Sequence, residues 1–146
     1  NRHPGTWEET QNATYGPKPP ERVRPGELRV TFVNHSTFLL QLDGLNILTD
    51  PIYGQRVSPF QFIGPKRTRP PGIRFEDLPK IDLLLLSHNH WDHLEIGTVR
   101  RIFKRDRPRV VTPLGVGQFL EKSGVPGATD LDWEQEAKIS DSLTIT

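Results

Sequence analysis

The chain is 146 residues long, within the usual range of a single domain. It carries 19 Lys and Arg against 18 Asp and Glu; a net charge of +1 gives no whole-chain drive toward an acidic polymer, so we expect no nucleic-acid partner. Cys is absent, which excludes disulfides, thiolate-zinc sites and cysteine nucleophiles, and no apolar run approaches the ~18 residues of a membrane span.

The 14 prolines, roughly twice average usage, work against long helices. Five of them (Pro4, Pro17, Pro19, Pro20 and Pro25) fall in residues 1–27, with only the isolated aromatics Trp7 and Tyr15, and we read this stretch as an extended arm. Asn12-Ala13-Thr14 matches a glycosylation acceptor, a weak signal with no export signal in view. Asn1 stands first and Met is absent, so we take the chain as part of a longer protein. Its location is unknown, the cytoplasm or the periphery of a membrane being the expectation.

From Leu28 the pattern changes. Leu28, Val30 and Phe32 alternate with Arg29 and Thr31, and the runs Thr37–Leu42 and Leu45–Thr49 flank Asp43-Gly44, a two-residue hairpin signal, so an antiparallel sheet begins here. Residues 51–79 are a long proline-interrupted excursion of the kind that forms lids, binding loops or disorder. Ile81–Leu86 contains a short continuous apolar run that suits a strand covered on both faces. Ile96, Val99, Ile102 and Phe103 then mark an amphipathic helix ending before Pro108, with Arg100, Arg101, Lys104 and Arg105 on its solvent face. Val110–Thr112 reads as a strand, Val116, Phe119 and Leu120 as a short helix stopped by Gly124 and Pro126, and Leu143–Thr146 as a strand just beginning.

The chemistry is concentrated after the buried strand, in Ser87-His88-Asn89-His90-Trp91-Asp92-His93. In extended backbone residues two apart point the same way, so His88 and His90 can offer nitrogens to one ion. Asp92 and His93 then turn away from the pair, giving an oxygen and a nitrogen to a second. Imidazole and carboxylate together suit zinc, and less exclusively iron or manganese. A surface loop that merely tolerates histidine is the bland alternative.

The spacing H-x-H-x-D-H resembles the signature of the metallo-β-lactamase superfamily. Val33-Asn34-His35-Ser36-Thr37, Leu48-Thr49-Asp50-Pro51 and Ser58–Arg67 are similar to the branch that holds N-acylphosphatidylethanolamine-hydrolysing phospholipase D and bacterial RomA-like proteins, over about residues 28–120. The resemblance implies an α/β (α+β) fold, the N-terminal part of an αββα sandwich, with a dinuclear site at one edge. His88 and His90 would bind one metal, Asp92 and His93 the other, and Asp92 would be the catalytic residue named here. The family's further ligands, a histidine, a bridging aspartate and a last histidine, have no counterpart, since no His follows His93. Residues 28–146 therefore read as an incomplete domain whose C-terminal half lies outside the chain, paired in life with that half or with another chain. Two Zn2+ ions, with Fe or Mn as alternatives, would lower the pKa of a bound water and present hydroxide to a phosphodiester of N-acyl phospholipid type. Ester or lactone hydrolysis, or a noncatalytic metal-binding or interaction role, are the alternatives.

Other residues stand beside this set. Asp50 can orient a ligand histidine as an acceptor, or simply make an Asp-Pro turn. His35 either sits beside the site or is structural. Lys66, Arg67 and Arg69, interleaved with Phe60, Phe62 and Ile63, can meet an anionic head group and an acyl chain at a membrane surface, or form a solvated loop. Trp91 walls the pocket mouth or packs beneath it.

Overall fold

The computed structural model describes residues 14–56, 58, 62–64 and 66–146. Trp7, Asn12, Ala13, Phe60 and residues 1–13 generally, named above, lie outside these, as do Pro59, Gln61 and Pro65.

Six strands form one sheet in chain order: β1 (Leu28–Asn34), β2 (Thr37–Leu42), β3 (Leu45–Thr49), β4 (Leu83–Leu85), β5 (Arg109–Pro113) and β6 (Thr129–Leu131). The first three are antiparallel neighbours, whereas β3, β4, β5 and β6 run parallel. Asp43 and Gly44 both take positive φ (46° and 75°), the conformation that lets a two-residue loop follow the strand twist, so the β2–β3 hairpin forms where the sequence marks it. Helix α1 (Ile96–Asp106) crosses from β4 to β5 and α2 (Val116–Lys122) from β5 to β6. A second, two-stranded sheet pairs β7 (Ala137–Lys138) with β8 (Thr144–Ile145).

Adjacent residues of a strand face opposite sides, and the sheet uses both. Leu39, Leu48, Leu84 and Val110 pack with Val99 and Ile102 of α1 and Leu120 of α2. Their neighbours Leu40, Ile47, Leu83 and Val111 pack on Ala137, Ile139, Leu143 and Ile145 around the small sheet. Each fully buried aliphatic side chain contributes about 1.5–3 kcal/mol, so this two-faced burial fixes register: a one-residue slip would exchange the faces. The solvent face of α1 carries Arg100, Arg101, Lys104 and Arg105, all exposed.

Residues 14–27 hold no helix or strand, yet they are docked. The carbonyls of Pro20 and Glu21 accept from the buried Gln41 and Asn46 amides, and Arg22 pairs with Asp82.

What this topology positions is one edge of the large sheet. β1 ends there and β2 starts there, while β3 and β4 both deliver their carboxyl ends to it, the place where open α/β sheets present ligand groups.

Candidate metal centre

Three connections converge on that edge. The β1–β2 turn carries His35, whose φ of 42° lies in the left-handed region. Its base is tied to the end of β3: Thr37 donates through Oγ1 to the Asp50 carbonyl (2.7 Å), and Thr49 through Oγ1 to the Ser36 carbonyl (2.8 Å). Asp50 follows β3, and Ser87 follows β4 after Leu86. Beyond Ser87 the chain bends: the His90 carbonyl accepts from the N–H groups of both His93 and Leu94, at 2.9 and 2.7 Å, which swings Asp92 and His93 back toward the sheet.

The result is a single cluster. Asp92 Oδ2 lies 3.2 Å from His35 Nε2 and 3.7 Å from His93 Nε2. His35, Asp92 and His93 can each present a ligand atom within 4.8 Å of the other two. Asp92 and His93 are expected to turn away from the first pair, but the His93 ring centroid is 4.0 Å from that of His88, which stands 4.6 Å from that of His90. The tight turn at residues 90–93, which folds the chain back on itself, accounts for the difference. His35, which the sequence leaves beside the site or structural, is placed within the group.

Buried Asp50 organises these rings from below. Its Oδ1 accepts from the Ser87 backbone N–H (2.7 Å), and its Oδ2 accepts from the Ser87 hydroxyl (2.6 Å) and from His93 Nδ1 (2.8 Å). Ser87 has one proton and gives it to Asp50, so its oxygen is left to accept from His88 Nδ1 at 2.9 Å. In both histidines Nδ1 is thus the donor and Nε2 the nitrogen left to face the site, the arrangement a metal ligand needs when its other nitrogen is held by an outer acceptor. Ser87 is the participant that sequence reasoning missed. The available signal was its place between the buried strand and His88.

Asp92 is poised to stay charged. Burial works to raise its carboxyl, but its own backbone N–H, the neighbouring His93 and the His35 hydrogen bond together hold it below the usual carboxylate range. Imidazole nitrogens and an ionised carboxylate within this spacing fit a divalent ion such as Zn2+, Fe2+ or Mn2+. Trp91, half exposed, precedes Asp92 within the turn.

Lys66 and Arg67 are elsewhere. They line a cavity between the 51–79 excursion and α1 that includes none of the cluster residues. Arg67 is fixed there by the carbonyls of Ile52 and Gly54, at 3.1 Å and 3.0 Å, while Phe62 and Ile63 are largely exposed. Glu95, two residues past His93, clamps the start of the excursion by accepting from the N–H groups of Tyr53 (2.8 Å) and Gly54 (2.7 Å).

The profile of the family described as Beta-lactamase superfamily domain matches residues 45–146. An uncharacterized protein of Mycobacterium tuberculosis, Rv0906, is 42% identical over 120 residues, covering 81% of this chain and 32% of its own. N-acyl-phosphatidylethanolamine-hydrolyzing phospholipase D 1 of Caenorhabditis elegans is 35% identical over 127 residues, covering 82% of this chain and 35% of its own. The chain thus spans about a third of the length of these curated relatives. Among solved structures, CmlA, a diiron β-hydroxylase from Streptomyces venezuelae, superposes with a TM-score of 0.58 at 28% identity, over 79% of this chain and 22% of that one.

Proposed function

The chain belongs to the β-lactamase superfamily domain family, with its α/β metallo-β-lactamase-like fold, and from that premise we propose that it forms the metal-binding edge of a hydrolase acting on an anionic ester. The observation that carries this reading is the convergence of His35, Asp92 and His93, with the Nδ1 protons of His88 and His93 committed to the Ser87–Asp50 pair. His88, His90, Asp92 and His93, with His35 beside them, would hold the metal. Zinc is the ion we propose, with iron or manganese as the alternatives. A divalent ion bound there supplies Lewis acidity and a water of lowered pKa.

The chain's own residues do the rest. Asp50 and Ser87 fix which nitrogen of each ring faces the site. Asp92 brings a negative charge that persists well into acid, and Trp91 offers a flat apolar wall to a substrate. Two ions need more groups than this set, so we place the remaining ligands beyond the 146 residues or on a partner chain.

A phosphodiester of the N-acyl phospholipid kind is the substrate class we favour, on the likeness to the worm phospholipase D. The likeness to a diiron hydroxylase supports a second reading, iron-dependent chemistry on the same scaffold. One experiment separates them: the full-length protein is purified, its metal content measured, and its hydrolysis of an N-acyl phosphatidylethanolamine compared with that of a lactone and a generic phosphodiester. Hydrolysis of the phospholipid, lost in His90→Ala with an unchanged circular dichroism spectrum, is the expected result. Retained activity in that variant would remove His90 from the mechanism, and lactone turnover alone would move the substrate to the ester class.

A further inference from the structure

The cavity that holds Lys66 and Arg67 has a chemistry of its own. Its volume is about 380 Å³, and Tyr53, Lys66, Arg67, Arg69, Arg74 and Arg101 stand around it. Against these five cations there is one lining carboxylate, Glu76, which is 3.6 Å from Arg101. Among the described residues, no carboxylate lies within ion-pair distance of Lys66, Arg67 or Arg69.

Several of these groups are held in place before any ligand arrives. Arg67 is half-buried and anchored on two backbone carbonyls. Arg101 lies over the Phe75 ring, 3.8 Å from its centroid, and Arg74 over the Tyr15 ring at 5.1 Å. The Tyr53 hydroxyl is shielded from solvent and has no hydrogen-bond partner among the described residues, unusual for a buried phenol. Gathering like charges in a concave site is unfavourable unless an anion offsets it. Arg74 and Arg101 are offset by Asp77 and Glu76, at 3.6 Å each, and a monovalent carboxylate would leave two of the other three cations uncompensated. A phosphate group has the charge and the oxygens to engage several, and planar guanidinium groups match it with paired N–H donors.

We propose that this cavity is a second ligand site, for a phosphate-bearing anion, separate from the His/Asp cluster. The site does not depend on the hydrolase reading. The shared chemistry admits two sources, a soluble phosphate compound or the phosphate of a lipid head group, and the test distinguishes them.

Full-length protein, stripped of metal with a chelator and dialysed, is titrated with inorganic phosphate by calorimetry. In parallel it is co-sedimented with phosphatidylcholine vesicles containing phosphatidic acid. Saturable phosphate binding identifies the soluble source, and binding to vesicles alone identifies the lipid. In either case Lys66→Gln with Arg69→Gln, two exposed side chains, weakens binding at least tenfold, while Lys104→Gln on the outer face of α1 leaves it unchanged. Binding in neither arm, or unaltered affinity in the double variant, overturns the proposal. His90→Ala separates the two sites: it abolishes hydrolysis and spares anion binding if both assignments hold, whereas loss of anion binding in that variant assigns the anion to the metal edge and overturns this one.

Discussion

Asp50 shows how much one side chain can set. It is almost fully buried, takes a φ of 34°, and spends both oxygens on three donors: the Ser87 N–H, the Ser87 hydroxyl and His93 Nδ1. Asparagine keeps the shape but loses an acceptor and the charge, so Asp50→Asn frees the His93 ring to choose its tautomer and leaves Ser87 without its receiver. Groups that orient metal ligands in this way are typically worth 10- to 100-fold in metal affinity. We expect a loss of that size for Asp50→Asn in competition with a chelating dye; an unchanged affinity would show that Asp50 serves only the turn. Tyr53 gives the second residue-scale prediction. Burial raises its phenol well above the ordinary value of about 10, outweighing the opposing influence of Arg67. The folded chain therefore holds the proton more tightly than the unfolded chain, so this stabilising contribution is complete below about pH 10 and is lost as pH rises from there toward the folded value. Tyr53→Phe removes that slope. Because the hydroxyl has no partner among the described residues, the substitution is neutral or stabilises by up to about 1 kcal/mol at neutral pH, measured by denaturant unfolding at pH 7 and pH 11.

At the scale of elements, local chemistry and long-range pairing divide what could be read in advance. The β2–β3 hairpin, α1, β4 and α2 were legible because each carries its own signal: Asp43-Gly44, a 3.6-residue apolar period, a run of leucines, a Gly-Pro stop. The short helical turn Phe75–Asp77 and strands β6 and β7 were not, because two or three residues have no period and β6 exists by parallel pairing with β5. The metal loop could be read because its ligands sit within six residues; the joining of His35 to Asp92 across 57 positions, and of Tyr53, Arg67 and Arg101 around one cavity, depends on tertiary contact alone. Glu95 is the joint between these two regions. It binds the Tyr53 and Gly54 amides and the Thr98 hydroxyl, and a Cβ on Gly54 would collide with its carboxylate. Gly54→Ala should therefore expel Glu95 and destabilise the fold by about 1–3 kcal/mol, the range for stranding buried hydrogen-bonding groups. In a Glu95→Ala background the same substitution should have a much smaller effect. A double-mutant cycle on unfolding free energies measures the coupling, and additive values would mean the clash is relieved without losing the clamp.

For the molecule as a whole, the two faces of the large sheet are covered unequally. α1 and α2 close one face, but on the other the small sheet buries Ile47, Leu83 and Val111 and covers Leu40, Leu42, Leu85 and Leu131 only in part. Val30 is register partner to Leu40 and Leu28 to Leu42, which continues this apolar surface outward onto β1. There Leu28, Val30 and Phe32 are 67%, 56% and 59% exposed, a contiguous stripe rather than scattered single residues. Soluble monomers seldom leave such a stripe uncovered, and in the chain on its own a second copy is expected to pack on it. The 146-residue chain expressed alone should accordingly self-associate as its concentration rises. Val30→Lys places a charge in the middle of the stripe at a position that contributes little to the existing core, so it should suppress association while changing unfolding free energy by less than about 0.5 kcal/mol. Sedimentation velocity across a hundredfold concentration range decides the matter. A chain that stays monomeric throughout, or a variant that associates as strongly as the parent, would place the contact elsewhere and leave the β1 stripe without a partner to explain it.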